Sequence, residues 1–264
     1  MKLGTCAGLD KFEAAAGIGY DYLESNLGVI KNLDRTQLGE AKKILDGHEI
    51  KLEATNCFFP GDIHLAGDDA TTLDEIKDYT CRAFENAKLL GAETCVLGSG
   101  RSRSVPEGFD RERGVGQVLD AVHAIGEIAK EYGIRVAIEP LNSLESNIFT
   151  TVRETADTCR ELGLDSVCVL ADIYHMVMEK EDFSSLSYAS DKLIHVHFSN
   201  PVALGATGTS KRIFPAEGDG YNYAPFVKAL SDAGYDGRIS IEAGCNCFET
   251  EAAEGLRMMK KLFK

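Results

Sequence analysis

The segment VAIEPLN, residues 136–142, is a run of apolar residues that ends in a carboxylate, Glu139, and then a proline. A short apolar run rich in β-branched residues is typical of a strand that is buried on both faces, as in a parallel sheet. Pro140 has no amide hydrogen to donate to a neighbouring strand, so we expect the strand to end near Glu139. The carboxyl ends of buried parallel strands are where α/β proteins place ligands and chemistry. The segment therefore indicates an α/β fold with a functional carboxylate at a strand end.

The same pattern recurs in three later segments, which end in Asp172, His197 and Glu242. In a closed barrel the carboxyl ends of the strands share one face, so these side chains and Glu139 can converge. Three carboxylates with one imidazole suit Mg²⁺ or Mn²⁺, with Co²⁺ as a further candidate. Without a cation, three carboxylates on one rim would repel each other and raise at least one pKa. The alternative is a set of unrelated strand-end acids and a histidine of the core.

The remaining chain repeats an alternation of strand-like and helix-like segments. The strands are expected at residues 2–8, 20–24, 49–55, 94–97, 134–139, 167–172, 193–199 and 238–242. Capping boxes at Thr72/Glu75 and Thr151/Glu154 predict two helix starts. A polar helix is expected through Ser190, and a loop over residues 201–210. A barrel of this kind needs about 250 residues. The prediction is a single (β/α)8 TIM barrel of the α/β class that takes up residues 1–264 as one domain.

Composition narrows the partners and the location. The net charge of −14 opposes binding to nucleic acid or to anionic lipid. No stretch approaches the roughly 18 apolar residues of a membrane span, and the first residues do not begin a signal peptide. We therefore expect a cytoplasmic protein with a small-molecule substrate, no nucleic-acid partner and no membrane partner. The sequence is compatible with a monomer and with a homo-oligomer.

The eight cysteines include no CxxC pair, so neither a zinc ribbon nor a disulfide framework is expected. Most of them should be small buried apolar residues. Cys245 and Cys247 follow Glu242 closely, and core packing is favoured over a role in lining a site.

Three other features have two interpretations each. Asn142 either hydrogen-bonds a neighbour of the site or caps a turn. His195 is assigned to the core or to the surroundings of the site, on the expectation that it faces away from His197. The arginines Arg101 and Arg103 could grip an anionic substrate, but pairing with the acidic residues between 107 and 112 is favoured.

Several motifs together carry a resemblance to a known family. They are IEPLNSLE at 138–145, DIYHM at 172–176, HVH at 195–197, IEAG at 241–244, and the opening FEAA at 12–15 with GYDYLE at 19–24. This set resembles the xylose-isomerase-like sugar isomerase/epimerase superfamily, and within it the ketose 3-epimerases of the tagatose/psicose type. The similarity spans the whole chain.

The resemblance implies a metal site and an acid–base pair. Glu139 and Glu242 would be metal ligands and also the catalytic acid and base, on opposite faces of the substrate. Asp172 and His197 would be ligands only. Mn²⁺ is the first candidate for the metal, and Mg²⁺ or Co²⁺ are alternatives.

The resemblance also implies substrate contacts. Glu145 and His175 would hold the O1/O2 end of a sugar. Arg212 stands where these epimerases have a substrate-binding arginine. The long loop before Arg212 departs from the common pattern, as does Ala216, where a glycine is usual.

The expected chemistry is proton transfer next to a carbonyl. A carboxylate can remove such a proton only if the developing enediolate is stabilised, which a divalent cation does as a Lewis acid. A second carboxylate on the other face would return a proton and invert the centre.

Other functions stay open at this point. Within the superfamily they are hydroxypyruvate-type isomerase and the inosose and dehydroshikimate dehydratases. An apurinic-site endonuclease would need more histidine ligands and a basic face. A non-enzymatic carbohydrate-binding protein would not require two opposed carboxylates.

Overall fold

The computed structural model describes residues 1–201 and 212–263. Its eight strands form one closed, all-parallel barrel in chain order, in which the first strand also pairs with the last. The strands are β1 (Lys2–Cys6), β2 (Tyr22–Asn26), β3 (Lys51–Asn56), β4 (Thr94–Leu97), β5 (Arg135–Ile138), β6 (Val167–Asp172), β7 (Leu193–Phe198) and β8 (Arg238–Ile241). The predicted (β/α)8 barrel is confirmed.

Helices lie between the strands and cover the outside of the barrel. They are α1 (Phe12–Ile18), α2 (Leu27–Lys31), α3 (Arg35–Asp46), α4 (Leu73–Leu90), α5 (Gly100–Arg103), α6 (Arg111–Tyr132), α7 (Val152–Leu162), α8 (Ile173–Met178), α9 (Ser185–Tyr188), α10 (Ala224–Asp232) and α11 (Phe248–Leu262). A short 3₁₀ turn at Leu9–Lys11 directly precedes α1. No helix in the described part of the chain is both long enough and apolar enough to cross a membrane.

Strand alternation decides which side chains enter the barrel. Val136 and Ile138 of β5 belong to the large apolar layer between the barrel and the helices. Ala137, between them, packs instead with Val96 and Leu170 in a small separate cluster inside the barrel. Because successive side chains of a strand point to opposite faces, the residue two positions after Ala137 also points inward. Glu139 is therefore directed to the barrel interior at the carboxyl end of β5.

Helix starts follow the capping signals. Thr72 and Glu75 form the complete capping box at the start of α4, as predicted. At α7 the side chain of Thr151 accepts a hydrogen bond from the amide of Glu154, but the carboxylate of Glu154 accepts from Thr150. The second box is thus only half formed.

Several predicted elements differ from the structure. β1 ends at Cys6, two residues earlier than expected, and β3 begins at Lys51, two residues later than expected. The second strand begins two residues later than expected, at Tyr22, because residues before it form the turn after α1. The polar helix expected through Ser190 is two short helices, α8 and α9, and α8 is largely buried. The predicted loop at 201–210 lies outside the described residues apart from Pro201.

Gly4 is required by the ring of Tyr22 inside the barrel. A Cβ at position 4 would lie 2.3 Å from Cζ of Tyr22. We expect Gly4→Ala to lower the free energy of unfolding by about 1–3 kcal/mol through overpacking. Gly17 of α1 has nothing within 4 Å of an added Cβ, so Gly17→Ala is a matched control that should be neutral or slightly stabilising. Denaturant unfolding measures both, and equal stability of the two variants would contradict the packing described.

Candidate metal and active site

Four side chains meet at the carboxyl ends of β5 to β8. Glu139, Asp172, His197 and Glu242 each present a ligand atom, and these atoms all lie within 4.8 Å of one another. Asp172 and His197 are almost completely buried, and Glu139 is 5% exposed. The strand ends therefore bring together all four residues that the sequence predicts as ligands.

The imidazole of His197 lies at the centre of this group. Its Nδ1 is 3.1 Å from Oε1 of Glu139 and 3.3 Å from Oε2 of Glu242. The two glutamates thus reach the same ring nitrogen from two different strand ends.

Burial and neighbouring charges shift the pKa values of two of the carboxylates, Asp172 and Glu242. Burial, together with the charges of Glu139 and Glu242, raises the pKa of Asp172 to about 7 against the lowering effect of Arg212. Burial also acts to raise the pKa of Glu242, but His197 and Arg212 outweigh it and lower that pKa to about 2. The group therefore concentrates negative charge that needs a positive partner.

The donor set fits a divalent cation. Oxygen ligands suit Mg²⁺ and Mn²⁺, and one imidazole is compatible with both Mn²⁺ and Co²⁺. Opposed ligands about 2.1 Å from a cation would be about 4.2 Å apart, so the observed group would need to contract only slightly. Glu139, Asp172, His197 and Glu242 are the residues that could hold such an ion.

Glu139 is positioned by two residues that follow β4, Gly98 and Arg103. A Cβ at Gly98 would lie 2.4 Å from Oε2 of Glu139, so the carboxylate occupies the space that a larger residue would fill. The guanidinium of Arg103 donates to the backbone oxygens of Glu139, at 2.7 Å, and of Leu97, at 3.0 Å. Arg103 thereby ties the ends of β4 and β5 together.

Arg103 is buried, which neither sequence interpretation anticipated. It meets neither the acidic residues at 107–112 nor an open substrate surface, and burial lowers its pKa to about 10. Arg101, by contrast, is exposed. The spacing of the two arginines could not reveal this, because it depends on the short helix α5 turning one of them inward.

A second set of contacts connects three residues of the site. The amide of Asn142 donates to Nδ1 of His175 at 3.0 Å, and its side-chain nitrogen donates to Oε1 of Glu145 at 2.9 Å. Its Oδ1 also accepts from the amide of Leu144 at 3.1 Å. Asn142 therefore fulfils both predicted roles, since it closes the turn and holds two neighbours.

His175 has a defined tautomer. Burial lowers its pKa to about 3, so the ring is neutral at pH 7, and Nδ1 accepts the amide hydrogen of Asn142. The ring proton is then on Nε2, which lies 3.7 Å from Oδ2 of Asp172 and 4.0 Å from Oε1 of Glu139. This Nε2 has no hydrogen-bond partner among the described residues. Within the described part of the chain it is therefore an unpaired donor that faces Asp172 and Glu139.

Arg212 closes the group from the other side. Its guanidinium pairs with Glu242 and lies 3.0 Å from Oδ2 of Asp172, over the ring of Tyr174. The structure thus brings Arg212 to the site, as the sequence predicted, in contact with two of the predicted metal ligands.

Three predictions about His195 and the cysteines are wrong. His195 does not face away from His197, because residues two apart on a strand share a face, and the two rings lie 5.3 Å apart inside the barrel. Cys245 and Cys247 are exposed in the loop after β8 and not packed in the core. Cys95, Cys159 and Cys168 are the only buried cysteines of the described chain, so the expectation of mostly buried cysteines is also wrong.

Glu24 is the residue of the site that the sequence analysis missed. It is fully buried in β2, and its carboxylate contacts both His195 and His197. A signal was present: Tyr22 and Glu24 are two apart in a short strand, which places a carboxylate and a phenol on one face.

Comparison with known proteins gives the family. Residues 12–262 match the family described as "Xylose isomerase-like TIM barrel", and the chain belongs to that family.

Curated relatives and a solved structure agree with this assignment. The D-psicose 3-epimerase of Agrobacterium fabrum is 26% identical over 87% of this chain and 77% of its own. The L-ribulose 3-epimerase of Methylomonas sp. is 27% identical over 87% of this chain and 76% of its own. The D-psicose 3-epimerase of Clostridium cellulolyticum, solved with D-tagatose, superposes with a TM-score of 0.85 at 18% identity over 100% of both chains, which shows the shared fold. Such relatives make this chain an enzyme of the isomerase and epimerase class.

The buried arginine provides a test of how the site is supported. We expect Arg103→Lys to lower stability by about 1–3 kcal/mol for each backbone oxygen left unpaired, because one ammonium cannot replace the guanidinium fork. Arg101→Lys on the same short helix is the control and should be neutral. Thermal and denaturant unfolding compare the two, and a neutral Arg103→Lys would contradict the role assigned to this side chain.

Proposed function

We propose that the protein is a divalent-metal-dependent epimerase of ketose sugars that works through an enediolate. The observation that carries this proposal is the convergence of Glu139 and Glu242 on one nitrogen of His197, beside the buried Asp172. Two carboxylates from different strands can face a substrate from two sides. The names of the relatives, D-psicose 3-epimerase and L-ribulose 3-epimerase, support a free ketose as the substrate.

Glu139 and Glu242 are assigned as the acid–base pair. One carboxylate removes the proton from the carbon next to the carbonyl, and the other returns a proton to the opposite face. Glu139, Asp172, His197 and Glu242 would hold a divalent cation, which would supply Lewis-acid stabilisation of the developing negative charge on the substrate oxygens. Mn²⁺ is the first choice for this ion, with Mg²⁺ or Co²⁺ as alternatives.

His175, Glu145 and Arg212 are assigned to the substrate. The unpaired Nε2–H of His175 can donate to a hydroxyl or carbonyl oxygen of the sugar. Glu145, held by Asn142, can accept from a sugar hydroxyl. The guanidinium of Arg212 pairs with Glu242 and Asp172, so it lies where it can also donate to an oxygen of a bound sugar.

The acid–base roles predict the effect of isosteric substitution. Glu139→Gln and Glu242→Gln should each reduce kcat by about 10²–10⁴, because a general acid or base contributes a factor of that order. Glu161→Gln, exposed on α7, is the matched control and should retain full activity. Turnover of D-psicose and L-ribulose measures this, with Mn²⁺ binding checked on each variant. Full activity in either site variant would refute its role.

Deuterium labelling distinguishes the reaction types. In D₂O we expect NMR to show deuterium at C3 of the ketose with all hydroxyl groups retained. Loss of water would indicate a dehydratase, and transfer to the neighbouring carbon with a shifted carbonyl would indicate aldose–ketose isomerisation. Either result would replace the epimerase assignment.

Removal of the metal tests the cofactor assignment. Treatment with a chelator should abolish turnover, and Mn²⁺ should restore it. Turnover that persists in the chelated protein, verified free of metal by elemental analysis, would contradict a metal-dependent mechanism.

A further inference from the structure

A polar layer fills the barrel directly beneath the four candidate ligands. Tyr22, Glu24, His195 and Ser240 are all fully buried inside it. They come from three strands that are far apart in sequence, and none belongs to the candidate ligand set. Buried polar groups of this kind are costly unless each is paired, so their arrangement has to be accounted for bond by bond.

Glu24 is the common acceptor of this layer. Its Oε1 lies 2.9 Å from Nε2 of His197, and its Oε2 lies 2.7 Å from Nε2 of His195. The hydroxyl of Ser240 donates to Oε2 at 2.6 Å and lies 2.8 Å from the hydroxyl of Tyr22. Both carboxylate oxygens are therefore occupied by donors from other strands.

These contacts define which ring nitrogens of the two histidines carry protons. An ionised carboxylate can only accept hydrogen bonds, so each histidine must present a proton on Nε2. Nδ1 of His195 has no partner among the described residues, as expected for a nitrogen that carries no proton. On His197 the same rule places a proton on Nδ1 as well, which donates to Oε1 of Glu139 at 3.1 Å, and a cation at the four ligands would replace that second proton.

We propose that Glu24 is a positioning residue that holds His197 with Nε2 protonated and Nδ1 directed at the metal. This inference rests on the proposed metal site. Carboxylates that accept the second ring proton of a ligating histidine fix the ring orientation and raise its basicity, and their loss costs metal affinity. His195 and Ser240 hold the carboxylate of Glu24 in the orientation that His197 requires.

An alternative use of the same residues is a second cation. Cys6, Glu24 and His197 also present ligand atoms within 4.8 Å of one another, with Sγ of Cys6 4.0 Å from Nε2 of His197. An ion there would displace the proton on Nε2 of His197 and compete with the donors to Glu24. The geometry favours the hydrogen bonds, because both oxygens of Glu24 already have donors within 3 Å.

The first experiment examines the ring protons of the intact chain. Long-range ¹H–¹⁵N spectra of protein with labelled histidine distinguish protonated from unprotonated ring nitrogens. We expect Nε2 of both His195 and His197 to carry a proton, in metal-free protein and after saturation with diamagnetic Mg²⁺. Only Nδ1 of His197 should respond to the metal. An unprotonated Nε2 on His197 in either state would overturn the proposal, and this measurement requires no variant to fold.

The second experiment measures Mn²⁺ affinity by calorimetry. Glu24→Gln should weaken binding about 10–100-fold, because an amide cannot accept protons at both positions. Glu53→Gln is the matched control, since Glu53 is also buried but contacts Lys2 and Arg238 instead of a histidine. It should leave the affinity unchanged. Wild-type protein should bind one Mn²⁺ per chain.

The outcomes separate this inference from the proposed function. Wild-type affinity in folded Glu24→Gln, or a stoichiometry of two ions per chain, would overturn the role of Glu24 while leaving the ketose epimerase assignment in place. Absence of Mn²⁺ binding by the wild-type chain would instead remove the metal site and, with it, this proposal.

Discussion

The imidazole of His197 joins the two polar layers of the barrel interior. Its Nε2 contacts Glu24 below, and its Nδ1 lies between Glu139 and Glu242 above. Two unit charges 4 Å apart interact by about 4 kcal/mol at an effective dielectric constant near 20, so several carboxylates at this spacing require compensating positive charge. Burial lowers the pKa of His197, but the surrounding carboxylates, with Glu24 first, outweigh this and raise it well above its ordinary value. Both layers therefore depend on this one ring.

The strand ends could be predicted because burial imposes a clear pattern on the sequence. β4 and β6 have the expected bounds, and β5 and β8 end one residue before the carboxylates that the sequence singled out. Residues at the carboxyl ends of parallel strands share one face of a barrel whatever lies between them in sequence. The convergence of Glu139 with Glu242 thus followed from strand periodicity and closure alone.

The supporting residues could not be predicted because they depend on details of register and local turns. The pairing of β2 with β3 shifts between Leu23 and Glu24, at the point where Glu24 enters the interior. Arg103 is turned inward by a four-residue helix that no periodicity announces. The side of His195 was predictable in principle from its spacing to His197, and the sequence interpretation assigned it wrongly.

We propose that the four strand-end side chains hold a single divalent cation. Anomalous diffraction from crystals grown with Mn²⁺, recorded at the manganese absorption edge, would locate this ion. We expect one strong peak within coordination distance of Glu139, Asp172, His197 and Glu242. A peak elsewhere in the chain, or an ordered site with these four side chains turned away from a shared centre, would contradict it.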